Sequence, residues 1–224
     1  MGIIFVDFYG VIIKFIGNSY SSPQLAFFRN FFALIPIILL LIITRDIKNI
    51  FVGISKKFLF LCFLRGISFV LMQIFYYISI INMNFATATT LTFSSPIFIV
   101  VLSMLVLKEK IGLFRWSAIF IGFGGVLLIM NPTSELFSYI SILPLLAALC
   151  WAISNIVLKF IPEDISSVKI NFYSINFSYI GSLIILLFSS DFSPVENSFD
   201  WLLLILIGIL GGVASILFSF AYRV

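Results

Sequence analysis

Histidine is absent from this 224-residue sequence, and charged residues make up only 10% of it. An ordinary soluble domain carries about a quarter charged residues, so the low charge excludes a water-soluble fold. The lack of histidine removes the most common metal ligand and proton shuttle. Cysteine is also scarce: Cys62 and Cys150 both lie in apolar segments, where we expect core residues and no disulfide.

Apolar residues form 62% of the chain. A transmembrane helix needs about 20 consecutive apolar residues, and segments near this length recur throughout the sequence. A β-barrel would need alternating polar and apolar residues, so we predict an all-α membrane protein in the lipid bilayer. The eight predicted transmembrane helices are residues 1–17, 22–44, 58–82, 85–107, 113–131, 139–161, 168–189 and 200–222.

Lysine and arginine are concentrated in alternate loops. Cations in short loops stay on the cytoplasmic side, so this pattern predicts an inner-membrane protein with both termini in the cytoplasm. The loops at 17–22, 82–84, 131–136 and 189–200 contain no cation. No continuous basic stripe is present, and we predict no nucleic-acid partner. The cations on the cytoplasmic side are Arg45, Lys48, Lys56, Lys57, Lys108, Lys110, Arg115, Lys159, Lys169 and Arg223.

An internal repeat relates residues 12–32 to residues 157–177 at an offset of 145 residues. Both segments contain Lys-Phe-Ile followed by Ser-Ser at the same spacing. Five predicted spans separate the two copies, and an odd number reverses the orientation in the membrane. Inverted repeats of this kind are typical of transporters that open a midplane site to alternate sides.

Several segments together resemble the EamA-type branch of the drug/metabolite transporter superfamily. They are SSPQLAFFRNFF at 21–32, LRG at 64–66 followed by FYYISI at 75–80, ATATTLTFSSPIFIVVLSMLVLKEK at 86–110, RWSAIFIGFGGVLLIMNP at 115–132 and FSFAYR at 218–223. The resemblance implies a carrier of ten helices, built from two inverted five-helix repeats around a substrate cavity. Residues 1–132 would be the first repeat, with a shortened first helix. Residues 139–224 would be a second repeat that lacks its last two helices.

The resemblance implies transport of a small metabolite by alternating access, with S-adenosylmethionine or an amino-acid-like solute as candidate substrates. It is also compatible with a homodimer. A non-transporting fragment, a decayed remnant or one subunit of a split transporter is the alternative. Catalytic and metal sites need several converging titratable groups, and we find no such set, so we predict no enzyme activity, cofactor or metal.

Asp7 is the only carboxylate well inside an apolar span, where an acid is costly and often functional. Arg29 lies at a similar depth in the next predicted helix, within about 5 Å along the membrane normal at 1.5 Å per residue. We therefore predict an ion pair between Asp7 and Arg29. The pair would either stabilise the bundle or form part of a proton- or substrate-sensitive site.

Polar residues within spans are the candidates for a substrate cavity, because they would be costly facing lipid. Pro96 would interrupt its helix and free a carbonyl for Ser94, Ser95 or a solute, although a kink for packing is an equal alternative. The other candidates could instead form interhelical hydrogen bonds. They are Gln73, Tyr76, Tyr77, Trp151, Ser154 and Asn155.

Glycine pairs within spans predict close approach of helices more than contact with a ligand. The pairs are Gly122 with Gly125 and Gly208 with Gly212.

Overall fold

The computed structural model describes residues 2–110, 112–130, 139–189 and 191–221, and no β-strand occurs among them. The all-α prediction therefore holds for this part of the chain. The predicted boundary between the repeats, at 132–139, lies almost wholly outside the described residues. The α-helices are α1 (Gly2–Ile16), α2 (Ser22–Ile43), α3 (Lys56–Asn82), α4 (Phe85–Thr92), α5 (Ser95–Leu102), α6 (Leu113–Met130), α7 (Ile142–Leu158), α8 (Ser167–Ser189) and α9 (Ser198–Ala221).

Six helical segments among the described residues are long and apolar enough to cross a membrane. α1 has only 15 residues, or about 22 Å at 1.5 Å per residue, whereas the hydrocarbon core is about 30 Å thick. Within α6, only Trp116–Gly125 qualifies, as a shorter apolar helix. The predicted count of eight spans is therefore not confirmed. The six segments are Ser22–Ile43, Lys56–Asn82, Phe85–Leu107, Tyr139–Leu158, Ser167–Ser189 and Ser198–Ala221.

Large apolar side chains cover the outside of the bundle. Phe8 is 63% exposed, Ile43 is 75% exposed and Phe188 is 86% exposed. A soluble monomer rarely exposes apolar surface on this scale, whereas lipid tails solvate it without cost. The outer surface therefore matches the membrane setting that the helices require.

Hydroxyl and amide side chains set the starts of the helices. The Ser21 hydroxyl accepts a hydrogen bond from the Gln24 amide at 3.4 Å, and Pro23 occupies the first turn of α2. The Ser55 hydroxyl likewise accepts from the Phe58 amide at 3.1 Å at the start of α3. These caps satisfy amides that have no partner within their own helix.

The segment Phe85–Leu107 is interrupted in the middle, between α4 and α5. Pro96 has no amide hydrogen with which to continue α4, so the predicted interruption is confirmed. Hydroxyl groups bind backbone carbonyls around the break: Thr92 Oγ1 donates to the carbonyl of Thr89 at 2.7 Å, and Ser94 Oγ donates to that of Leu91 at 2.7 Å. The interruption is therefore stabilised from within the segment.

Glycines allow α9 to pack closely on α2, and α3 on α8. A Cβ atom at Gly212 would lie 2.7 Å from the Ala33 carbonyl oxygen, and one at Gly66 would lie 2.6 Å from that of Ser174. A Cβ atom at Gly208 would overlap Phe32, so the close approach predicted for Gly208 and Gly212 is confirmed.

The prediction for Gly122 and Gly125 is not supported. A Cβ atom at either glycine would meet nothing within 4 Å. Among the described elements α6 packs mainly on α4, and that contact does not bring a neighbour close to these glycines.

Contacts between α2 and α9 recur between α8 and α3 at an offset of 145 residues. Each α2 residue corresponds to one on α8, and each α9 residue to one on α3. The contact of Gly211 with Arg29 corresponds to the contact of Gly66 with Ser174. The contact of Gly212 with Pro36 corresponds to the contact of Ile67 with Gly181.

Loop contacts define two ends of the bundle. At what we call the cation-poor end, the α1–α2 turn meets the loop at 191–197: the Ser21 hydroxyl donates to the Asp191 carbonyl at 2.8 Å. At the cation-rich end, the loop between α2 and α3 meets the start of α8. There Lys169 Nζ donates to the Asn49 carbonyl at 3.0 Å, and the Tyr173 hydroxyl donates to the Ile50 carbonyl at 3.2 Å.

We expect Gly66→Val to lower the free energy of unfolding by about 1–3 kcal/mol, because the added side chain meets the α8 backbone. The matched control is Gly122→Val, which places the same side chain in open space. The control should change the free energy by less than about 0.5 kcal/mol. Denaturant titration in mixed micelles, followed by circular dichroism, measures both. Equal losses in the two variants would show that close packing at Gly66 is not important.

Candidate functional site

A cavity of about 220 Å³ lies between α1, α3, α7, α9 and the interrupted α4–α5 segment. Its wall is mostly apolar and aromatic, with one carboxylate and several hydroxyl groups. The lining residues are Val6, Asp7, Tyr9, Met72, Tyr76, Thr89, Thr92, Phe93, Ser95, Pro96, Ala147, Ala148, Trp151 and Phe218.

The interruption of α4 shapes one wall of the cavity. The last turns of α4 present Thr89 and Thr92, and the break itself presents Phe93, Ser95 and Pro96. Non-helical backbone is tolerated at this depth only where protein or a cavity surrounds it. The break therefore places irregular backbone beside the cavity and away from lipid.

The structure brings five of the predicted site residues to this cavity. Asp7 comes from α1, Tyr76 from α3, Ser95 and Pro96 from the break, and Trp151 from α7. These positions agree with the predicted placement, while their contact with a substrate stays a prediction.

The other cavity candidates make contacts inside the bundle and do not line the cavity. Ser94 donates to the Leu91 carbonyl, and Asn155 Nδ2 donates to the Trp151 carbonyl at 2.8 Å. Ser154 is 1% exposed, and Tyr77 is fully buried with a hydroxyl that lacks a hydrogen-bond partner. Both hydrogen bonds are local, to carbonyls three and four residues earlier, so they are not the interhelical bonds that were the alternative.

Gln73 forms a reciprocal amide pair with Asn30 across α3 and α2. Asn30 Nδ2 donates to Gln73 Oε1 at 2.9 Å, and Gln73 Nε2 donates to Asn30 Oδ1 at 3.0 Å. Both side chains are at most 1% exposed. Gln73 is therefore part of the helix contact and does not line the cavity.

The predicted ion pair between Asp7 and Arg29 is corrected by the structure. Arg29 Nη2 donates to the Gly211 carbonyl at 2.9 Å, and Nη1 donates to Asn30 Oδ1 at 3.0 Å. Its guanidinium carbon also lies 5.0 Å from the centre of the Phe69 ring. Arg29 therefore reaches α9, whereas Asp7 lines the cavity.

A second arginine, Arg65, is also inside the bundle. From its position we would place it at the cytoplasmic mouth of α3, but it is only 4% exposed. Its guanidinium donates to Asn171 Oδ1 at 3.2 Å and to the Ser219 hydroxyl at 2.8 Å. The two buried arginines thus use neutral oxygen acceptors, and both lie at contacts between the two halves of the chain.

Several cavity residues were not among the candidates. Thr89, Thr92 and Phe93 precede the candidate Pro96 at the spacing of one helix face, so this spacing could have identified them. Met72 lies one turn before Tyr76 in the same way. Phe218 gave no such signal, because an isolated phenylalanine in an apolar helix usually faces lipid or core.

In the described part of the chain, no group of three or more His, Cys, Asp or Glu side chains could hold a metal ion.

The sequence model of the EamA-like transporter family matches residues 1–131 and 138–223. The chain belongs to this family. An S-adenosylmethionine uptake transporter of Rickettsia conorii is 29% identical over 203 residues, which cover 91% of this chain and 66% of the relative. A riboflavin transporter of Vibrio cholerae is 32% identical over 134 residues, which cover 60% of this chain and 44% of the relative.

The predicted resemblance to EamA transporters is therefore confirmed. The relatives' names describe transporters of small molecules, and none of those cited describes an enzyme. The chain spans about two thirds of the length of the S-adenosylmethionine uptake transporters that it matches.

We expect Gln73→Leu to lower the free energy of unfolding of this EamA-family chain by about 1–2 kcal/mol, because it leaves the buried Asn30 amide without its main partner. The double variant Asn30→Leu/Gln73→Leu should cost less than the sum of the two single variants. The control is the double variant Gln73→Leu/Asn82→Leu. The side-chain amide of Asn82 is exposed and donates to the Ile78 carbonyl within α3. Those two changes should be additive. Additivity in both pairs, measured by unfolding in micelles, would contradict a coupled amide pair.

Proposed function

We propose that this chain transports a small metabolite across the inner membrane by alternating access, and that the cavity holds the substrate. The observation that carries the proposal is an intramembrane carboxylate, Asp7, in an aromatic cavity between helices of both halves of the chain. A carboxylate at membrane depth is costly, and the usual reason to keep one is an ion or substrate pathway. The activity is transport and not catalysis.

An inverted repeat supports alternating access. The recurrence of α2–α9 contacts between α8 and α3, at the offset found in the sequence, fits two halves of opposite topology. In this proposal, residues 1–132 and 139–224 are the two halves. Two halves related in this way can exchange conformations and open the site to either side.

The loop charges support the orientation. The cation-rich end would face the cytoplasm together with both chain termini, as the positive-inside rule requires. The cation-poor end would face outwards.

Side-chain contacts support a cavity that is closed at the cation-poor end. Gln24 Nε2 donates to the Ser193 carbonyl at 2.6 Å, and Gln24 Oε1 accepts from the Ser193 amide at 2.9 Å. Lys14 Nζ donates to the Ile81 and Met83 carbonyls at 3.0 and 2.9 Å. Together these contacts join α1, α2, the end of α3 and the loop before α9.

Tyr20 adds to this closure by donating to Asp200 Oδ2 at 2.7 Å. Burial, together with the hydrogen bond to Asp200, raises the pKa of Tyr20 to about 12. The hydroxyl therefore keeps its proton, and its role as donor, throughout the physiological pH range.

Close packing of α1 one turn beyond Asp7 also supports closure on that side. A Cβ atom at Gly10, one turn beyond Asp7, would lie 3.3 Å from the Phe85 ring and 3.3 Å from the Tyr76 hydroxyl oxygen. In this conformation we therefore place the opening of the cavity on the cytoplasmic side. Transport would require the contacts at the cation-poor end to break.

The names of the relatives give two candidate substrates, S-adenosylmethionine and riboflavin. An amino-acid-like solute is the third candidate from the sequence. Because the relatives are longer, transport by this chain on its own is part of the proposal.

We expect purified chain in proteoliposomes to take up at least one of these solutes when each is supplied as a radiolabelled tracer. Ser95→Trp should lower the initial rate at least ten-fold, because the indole would occupy the cavity. The matched control is Leu39→Trp, which adds the same ring at a lipid-facing position, 54% exposed. Its rate should stay within about two-fold of the unmodified chain. Uptake that survives Ser95→Trp would place the pathway elsewhere, and no uptake of any candidate would contradict transport by this chain alone.

A further inference from the structure

The charge of the cavity lining is negative. Asp7 is exposed in the cavity and forms no salt bridge among the described residues. No lysine or arginine is among the lining residues of the described part of the chain. The buried Arg29 lies behind the wall, with its guanidinium carbon 6.0 Å from the centre of the Tyr9 ring, and it already donates to Gly211 and Asn30. A ligand in the cavity would therefore meet one carboxylate and no competing cation on the wall.

The threonine hydroxyls of the wall can only accept hydrogen bonds from a ligand, because each already donates its hydrogen within the protein. Thr89 Oγ1 donates to the Phe85 carbonyl at 2.8 Å, and Thr92 Oγ1 donates to the Thr89 carbonyl at 2.7 Å. A hydroxyl has one hydrogen and two lone pairs, so each of these oxygens keeps only lone pairs for a ligand. Like Asp7, they favour a cation or a hydrogen-bond donor and disfavour an anion.

Aromatic rings make up much of the remaining wall. Tyr9, Tyr76, Phe93, Trp151 and Phe218 all line the cavity. Trp151 and Phe218 meet edge to face, with ring centres 5.0 Å apart and planes at 78°. Ring faces attract cations, and tryptophan does so most strongly. The same rings can also stack on a planar group of the ligand.

We propose that the cavity binds an organic cation that carries a planar ring, with Asp7 as its counter-ion. The edge-to-face rings of Trp151 and Phe218 would lie against its charged centre. This inference rests on the proposed function, since it assigns the substrate class of the same cavity. An onium centre, such as a methylated sulfonium, fits better than a compact amine because its weak hydration makes transfer into an aromatic site less costly. Asp7 would distinguish this ligand from an uncharged analogue of the same shape.

The test uses two probes that differ by one methyl group and one charge. S-adenosylmethionine carries a sulfonium, and S-adenosylhomocysteine is the neutral thioether with the same adenosine and amino-acid groups. We expect the purified chain in nanodiscs to bind the sulfonium at least ten-fold more tightly in equilibrium dialysis. Asp7→Asn should remove this preference. It should weaken binding of the sulfonium about ten-fold and leave binding of the thioether within about two-fold of that of the unmodified chain.

Controls separate the charge of Asp7 from general damage. Asp164→Asn makes the same chemical change on an exposed loop and should keep the full preference. Asp7→Glu should also retain it, because the charge is preserved. At Trp151, substitution by Phe should retain most sulfonium binding, whereas substitution by Leu should weaken it about ten-fold. Circular dichroism of each variant checks that the helices are intact.

The outcomes distinguish this inference from the proposed function. Equal binding of sulfonium and thioether by the unmodified chain, a preference that survives Asp7→Asn, or no binding of the sulfonium would each overturn the cation site. Uptake of a neutral solute could still support transport in those cases. A sulfonium preference that Asp7→Asn abolishes, without uptake in proteoliposomes, would support the site and contradict transport by this chain alone.

Discussion

The close approach of α2 to α9 and of α3 to α8 is the constraint on which the rest of the structure depends. In lipid, helices gain little from hiding apolar surface, so they associate through close packing and interhelical hydrogen bonds. Gly66 and Gly211 allow this approach because neither has a Cβ atom to meet the facing helix. Any larger residue there would separate the helices and weaken the polar contacts between them.

The same approach accommodates the two buried arginines. Arg29 reaches the backbone carbonyl of Gly211, and Arg65 reaches Asn171 and Ser219. An arginine in hydrocarbon is costly unless it pairs with charge, backbone carbonyls or polar side chains. The helix contacts therefore supply the acceptors that a carboxylate would otherwise supply to the arginines, and Asp7 lines the cavity instead. The bundle thus separates a polar, closely packed side from an aromatic cavity.

Much of this arrangement could be predicted from the sequence. Continuous apolar segments indicated the helices, and Pro96 indicated the break between α4 and α5, because both depend on local physics. Asp7, Tyr76 and Trp151 reached the cavity because a polar or amphipathic group within a span tends to face inwards. Gly208 and Gly212 were identified from their spacing alone, and their close contacts with α2 followed.

What could not be predicted is the direction in which each helix faces its neighbours. Counting residues gives depth along the membrane normal, so Asp7 and Arg29 appeared as partners, but it does not give rotation about the helix axis. The actual partner of Arg29, Gly211, lies 182 residues away and carries no side chain to reveal it. The acceptors of Arg65 could not be predicted for the same reason, since they are on α8 and α9.

Side-specific labelling of a single cysteine in the cavity tests whether the cavity opens to the cytoplasm. The variant carries Ser95→Cys with Cys62 and Cys150 replaced by Ala, and a membrane-impermeant maleimide is applied to inside-out vesicles or to intact spheroplasts. We expect rapid labelling in inside-out vesicles, slow labelling in spheroplasts, and faster labelling in spheroplasts when Gln24→Ala weakens the closure at the cation-poor end. Labelling from the outside alone, or from neither side while the denatured protein reacts fully, would contradict a cytoplasmic opening.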